Sequence, residues 1–196
     1  MHRVAMPQVA VPAAFLAAVL GGALMAGAPA VRYAADPGAS RLEFSGLQAG
    51  AEFKGVFRKF TAIINFSPDA LADARFDVEI DLISLDTLDE DRDGVMRGAD
   101  IFDVAHFPTA HYVTRSFVKT ASGYSAVGAL TLRGVTKEVP VDFQFAATAG
   151  GAKLSGGARL KRLDFGVGQG EWKSTKSVAD EVNVAFTLLL KPKPAP

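Results

Sequence analysis

The sequence predicts an all-β fold of about eight strands, a sandwich or an up-and-down barrel, and three observations predict it. First, Phe76, Val78, Ile80 and Leu82 alternate with Arg75, Asp77, Glu79 and Asp81, so one face is apolar and the other charged; a helix would smear both sets around its circumference. Second, the same period-2 pattern recurs along the chain. Third, the runs are separated by clusters of Gly, Pro, Asp and Ser that carry turn chemistry, and no long helical pattern interrupts them.

In chain order, the first thirty residues stand apart. His2 and Arg3 supply their only positive charge, and no acidic residue occurs before Asp36. The apolar run Ala13 to Leu20 is followed by small residues from Ala26 to Ala30, and Ala28 and Ala30 form an A-x-A site. Residues 1–30 therefore read as a signal peptide cleaved after Ala30, which implies export. Crossing a bilayer takes about 20 apolar residues, and Pro7, Pro12, Gly21-Gly22 and Pro29 leave a shorter run. The remaining 166 of the 196 residues make one domain, residues 31–191, with a disordered tail at 192–196, where alternating proline opposes a sheet.

Within the domain, Leu42 and Phe44 open the alternation. Phe53 and Phe57 share one parity while Phe60, Ala62, Ile64 and Phe66 take the other, so a bulge is expected at Arg58-Lys59. After the strand of Phe76, the acidic stretch Leu88 to Gly98 predicts a short helix or a structured loop. Tyr112 with Thr114, and Leu130 with Leu132, continue the scheme. Val139, Val141, Phe143 and Phe145 form the next face, and Val182, Val184, Phe186, Leu188 and Leu190 the last. Turns are read at Ser67-Pro68-Asp69, Ser122-Gly123, Arg133-Gly134 and Gly150-Gly151. An eight-stranded barrel is either filled by its side chains or holds one small ligand. Fourteen Phe against three Tyr and one Trp favour a dry interior without choosing between those states.

Composition excludes several classes. Without Arg3, 20 basic residues face 21 acidic ones, which leaves no electrostatic footprint for nucleic acid and no polybasic patch. The absence of cysteine removes disulfides, thiolate metal sites, a lipid-attachment cysteine and a thiol nucleophile. His106 and His111 have no HExxH spacing, no G-x-S-x-G elbow occurs, and His111 alternates with Tyr112 onto the outer surface. No enzymatic activity is expected.

From Ser84 onward, the runs Ser84-Leu85-Asp86-Thr87, Arg92-Asp93, Arg97 to Val104 and Phe107-Pro108-Thr109-Ala110 together resemble the YceI-like family. The resemblance continues in Gly128 to Lys137 and in Leu163 to Gly168, and the opening Tyr33 to Phe44 agrees. Tyr112 in place of Phe, and His106-Phe107-Pro108 in place of Tyr-Pro, are small departures. The resemblance implies an extended eight-stranded antiparallel lipocalin-like β-barrel with one or two short helical segments. It also implies a periplasmic protein that binds a polyisoprenoid lipid or isoprenoid quinone and needs no cofactor.

On that footing the expected ligand-binding residues are Phe57, Phe60, Ile64, Phe76, Val78, Ile80, Leu82, Tyr112, Leu130, Leu132, Val141, Phe143, Trp172, Val184 and Phe186. Trp172 would shield the open end or meet a head-group ring. Gly168-Gln169-Gly170-Glu171-Trp172 resembles YceI-like modules fused to a membrane di-haem cytochrome b. A quinone-presenting accessory role, with a transient membrane or cytochrome b contact, is thus a second reading; a homodimer is left open.

A third reading is a calcium-stabilised interaction domain. Asp89, Asp91, Asp93, Gly94 and Asp100 fall at positions 1, 3, 5, 6 and 12 of an EF-hand loop, although Asp100 is shorter than the usual Glu and the preceding segment reads as a strand. The competing account is a solvated acidic loop with Arg92 and Arg97 paired to carboxylates. Gly166-Val167-Gly168-Gln169-Gly170 has no helix after it and reads as a tight bend at the rim rather than a phosphate loop.

Overall fold

The computed structural model describes residues 31–194, so the signal-peptide reading of residues 1–30 lies outside the described residues. The strands are β1 (Val31–Ala35), β2 (Arg41–Gln48), β3 (Ala51–Phe57), β4 (Phe60–Phe66), β5 (Arg75–Asp81), β6 (Leu85–Asp86), β7 (Thr109–Thr120), β8 (Gly123–Leu132), β9 (Val135–Thr148), β10 (Gly151–Lys161) and β11 (Glu181–Pro192). Among the described residues one α-helix, α1 (Glu90–Arg97), lies between β6 and β7. All pairings between strands are antiparallel, and the sheet closes where β11 meets both β1 (Tyr33 opposite Pro192) and β2 (Ser45 opposite Asn183). Closure selects the barrel over the sandwich.

The eleven segments amount to eight physical strands, because three of them are bent. β1 and β2 are halves of the first, broken at Asp36–Ser40. The Asp36 carboxylate accepts from the Gly38 N–H at 3.0 Å and meets Lys191 Nζ at 2.6 Å, which fixes the bend against β11. β3 and β4 are halves of the second, broken at Arg58-Lys59 where the parity change predicts a bulge. Pairing shifts by two residues across that break: Tyr33 faces Ile64, whereas Gly46 faces Phe53. β5 and β6 are joined through a 3-10 turn, Leu82–Ser84. A further bulge at Arg115 turns Phe117 inward and leaves Val118 exposed.

Up-and-down order puts all long connections at one end. Residues 87–108 and 162–180, with the tight turns at Ala49-Gly50 and Arg133-Gly134, form the mouth. Arg133 ties it together, donating to the carbonyls of Gly166 at 2.8 Å and Ala99 at 2.5 Å. The opposite end is packed solid: Phe66 lies within about 5–6 Å, ring centroid to centroid, of Phe76, Phe117, Tyr124, Phe143 and Phe145. Buried residues accordingly form two clusters, an aromatic plug at this end and a second set around Leu82, Tyr112, Leu130 and Val141 toward the mouth.

The tail departs from expectation. β11 runs on to Pro192, and the Lys193 N–H still donates to the Arg32 carbonyl at 2.9 Å. Proline is tolerated here because it stands at the end of the strand, where one missing donor costs little. Residues 195–196 lie outside the described residues.

Candidate functional site

Between the plug and the mouth the barrel encloses a cavity of about 520 Å³, within the range of single-ligand sites. Its bottom is formed by Ile64, Phe76, Leu154 and Leu188, and its wall by inward residues of the strands above them. Among the residues named from sequence, Phe57, Phe60, Ile64, Phe76, Val78, Ile80, Leu82, Tyr112, Leu130, Leu132, Val141, Trp172, Val184 and Phe186 all line this space. Phe57 and Phe60, of opposite parity, do so together because the break at Arg58-Lys59 rotates the strand between them.

Phe143 is the exception. It shares a face with Val141 but stands one pleat deeper, stacked on Tyr124 at 5.4 Å and edge-on to Phe76 at 5.0 Å, and it belongs to the plug instead of the cavity wall. Alternation assigns a face of the sheet and says nothing about depth along the barrel.

Several lining residues escape the periodicity argument. Phe102, Ile101, Met96, Phe165 and Val167 project from the mouth connections, where no strand period exists. Leu42 and Phe44 alternate visibly but carry no mark separating them from ordinary core. Arg162 is 6% exposed and also forms part of the wall. Its guanidinium donates from Nε to the Ala179 carbonyl (2.9 Å), from Nη1 to Val167 (2.9 Å) and from Nη2 to Val178 (2.8 Å).

Helix α1 closes one side of the mouth. Asp89 caps it by accepting from the Arg92 N–H at 3.0 Å, and Glu90, Asp91 and Asp93 sit in the first turn, where the helix dipole favours acids. Asp93 turns inward, accepting from the Thr87 N–H at 2.9 Å and hydroxyl at 2.7 Å, while Arg97 donates to the carbonyls of Ile83 and Leu85. The Arg92 guanidinium lies 5.4 Å from the Phe53 ring centre and pairs with Asp89 at 3.2 Å.

This geometry overturns the calcium loop. The segment is a helix, so Asp89 is spent on its cap, Asp93 on Thr87 and Arg97, and Asp91 and Asp100 are exposed elsewhere on the rim. No group of three metal-ligating side chains converges among the described residues.

The polar groups in the wall cluster toward the mouth: Gln48, Asp89, Asp91, Arg92 and Arg162. Among the described residues Tyr112 is the one phenol in the wall. Burial pushes its pKa well above the ordinary value, so it acts as a neutral donor. The two histidines of the barrel stand outside the cavity, His111 on Asp77 at 2.7 Å and His106 on Asp103 at 2.8 Å.

Comparison with known proteins agrees with this architecture. The family model described as a YceI-like domain matches residues 33–190. Among solved structures, BcnA of Burkholderia cenocepacia superposes with a TM-score of 0.75 at 33% identity, over 79% of this chain and 98% of that one. The Campylobacter jejuni YceI protein gives 0.65 at 25% identity, over 74% and 87%. A polyisoprenoid binding domain from Saccharophagus degradans gives 0.63 at 17% identity, over 83% and 99%, a likeness of fold alone. A UPF0312 protein of Vibrio parahaemolyticus is 30% identical over 74% of this chain and 82% of its own length. A UPF0312 protein of Vibrio cholerae is 33% identical over 58% of this chain, and the match spans 64% of that relative's length. The chain belongs to the YceI-like family.

Proposed function

We propose that this protein is an exported, periplasmic carrier that sequesters a polyisoprenoid lipid or isoprenoid quinone in its barrel, without covalent chemistry. The observation that carries the reading is the cavity itself: about 520 Å³, walled by Phe, Leu, Ile and Val, with polar side chains confined toward the mouth. An apolar chain needs no hydrogen bonds from such a wall. Each buried CH₂ contributes roughly 0.8 kcal/mol, so three five-carbon units supply about 12 kcal/mol against an association cost of about 4–15 kcal/mol. Tight binding therefore requires several units, which favours a long chain. The polyisoprenoid binding domain from Saccharophagus degradans shares the fold, and that ligand class suits this wall.

Trp172, the sole tryptophan, stands at the edge of the cavity and provides the test. Titration of delipidated protein with a geranylgeranyl-chain ligand is expected to change its fluorescence saturably at one ligand per chain. Loss of any saturable change with isoprenoids of every length tried would refute the proposal.

A further inference from the structure

The ladder between β9 and β10 stops partway up the barrel. Its last registered pair is Asp142 opposite Gly157. Beyond that rung, β9 from Val141 back to Val135 is registered with β8 alone, and β10 from Ala158 to Lys161 with β11 alone. Two sequence features place the break. Pro140, two residues past the last pair, brings no N–H to a ladder, and proline within a strand is confined to unpaired edges and bulges. On the facing strand, a Cβ at Gly156 would stand 2.1 Å from the Asp142 carbonyl oxygen, and one at Gly157 2.5 Å from that of Val184. Gly156 thus presses on β9 and Gly157 on β11, so the pair marks where β10 leaves one neighbour for the other.

The result is a seam in the wall on the mouth side of the break. Its inner lips are Val139 and Val141 on β9 and Ala158 and Leu160 on β10, all of which line the cavity. On the outer side Glu138, Pro140, Arg159 and Lys161 are exposed. Backbone groups facing the seam have no ladder partner and are met by water, because a dry, unpaired amide is rarely tolerated. Toward the mouth the seam is clasped by Lys137 Nζ on Asp164 at 3.5 Å, and a pair between two exposed side chains holds weakly. The mouth itself carries the polar side chains Gln48, Asp89, Asp91 and Arg92, and Arg133 ties its connections together.

We propose that the seam is a lateral portal of the cavity: an apolar polyprenyl chain slides in sideways between β9 and β10 once the Lys137–Asp164 clasp parts, and its polar head never crosses the wall. The inference rests on the isoprenoid-carrier reading of the cavity. A chain passing four aliphatic lips strips water from no polar side chain, whereas threading the mouth takes it through a charged rim. Parting the strands also costs least here. Along the paired stretch of the same ladder every opened rung would give up backbone hydrogen bonds, and in the seam there is no rung to open.

The test exploits a chain without cysteine. Continuing the register past Asp142 and Gly157 sets Pro140 opposite Arg159, so Pro140→Cys with Arg159→Cys bridges the seam on its outer face. A disulfide needs Cα atoms within about 7 Å, and a short dithiol-reactive linker provides the bridge where oxidation does not. Ala146→Cys with Lys153→Cys, a registered pair of the same two strands beyond the break, is the control bridge. Delipidated full-length protein is mixed with geranylgeraniol, and loading is followed by Trp172 fluorescence in stopped flow. Bridging the seam is expected to slow loading at least about tenfold while equilibrium affinity stays within about twofold, and the control bridge should change neither. Asp164→Asn, which releases the clasp, should speed loading about twofold to fivefold. A bridged seam that loads as fast as the same variant unbridged overturns the portal and leaves the carrier standing, as does a control bridge that slows loading equally. Absence of saturable binding by the unaltered protein overturns the carrier reading itself.

Discussion

Tyr112 on β7 donates its phenolic hydrogen to the carbonyl of Val139 on β9, 3.1 Å away, passing over Gly128 on the strand between them. A Cβ on Gly128 would stand 2.6 Å from Tyr112 Cζ, so the glycine lets the ring lie flat along the wall instead of filling the cavity. Gly128→Val is therefore expected to push the ring inward, costing about 1–3 kcal/mol through overpacking and lowering ligand stoichiometry. Tyr112→Phe keeps the shape and loses one buried hydrogen bond, a cost of about 0.5–1.5 kcal/mol in thermal or urea unfolding. If Gly128→Val holds as much ligand as the unaltered protein, the ring does not border the ligand space.

The cavity face is separable from the outer face of the same strand. Ile80 lines the cavity, and Glu79 beside it is exposed. Ile80→Asp is expected to abolish lipid co-purification, because a carboxylate would be buried in the wall. Glu79→Gln should leave it intact. Equal lipid content in the two folded variants would show that the strand's faces are misassigned.

Stability and binding divide between the two ends of the barrel. Phe66 is 1% exposed at the centre of the aromatic plug and outside the cavity wall. Phe66→Ala is expected to cost about 3–5 kcal/mol in denaturant unfolding, and Phe143→Leu less. Ligand affinity of the folded Phe143→Leu variant should change little. A large loss of affinity there would place Phe143 on the ligand after all.

Acid should weaken the fold through three carboxylates. Lys191 and the Gly38 N–H hold Asp36 below the usual range; His111, then Arg75, do the same for Asp77 against the cost of burial; the Leu88 N–H and Arg58 do so for Asp86. Each folded-state pKa lies below the unfolded value of about 3.9, so the folded state binds fewer protons in that window. Their contribution is present above about pH 4 and is lost as pH falls through the folded values. Melting curves should be flat in this respect from pH 7 to about 4.5 and drop below it, with a shallower drop in Asp36→Asn and Asp77→Asn.

Calcium is expected to leave the melting temperature unchanged, since Asp89 and Asp93 already satisfy the helix cap and Thr87. A calcium-dependent rise would contradict the placement of α1.

Much of the barrel was legible because a half-buried strand writes its face into every second residue, as Phe76, Val78 and Ile80 do. The break at Arg58-Lys59 was legible for the same reason, as a change of parity. Depth was not: Val141 and Phe143 look equivalent in sequence, and only closure of the barrel separates wall from plug. Phe102 and Phe165 were invisible because the mouth connections have no period. The EF-hand spacing misled because the same acids that suit a calcium loop also suit a helix cap and first turn, and Thr87 and Arg97 decide between them. Arg162 could not be recognised either, since the carbonyls that hold it come from residues 178 and 179, across a connection whose path local sequence does not set.

The most direct measurement is solvent extraction of freshly purified protein followed by mass spectrometry, with an unrelated control protein prepared alongside. The account predicts an isoprenoid lipid or quinone at up to one molecule per chain, retained by Glu79→Gln and absent from Ile80→Asp. Recovery of no isoprenoid above the control protein would contradict it.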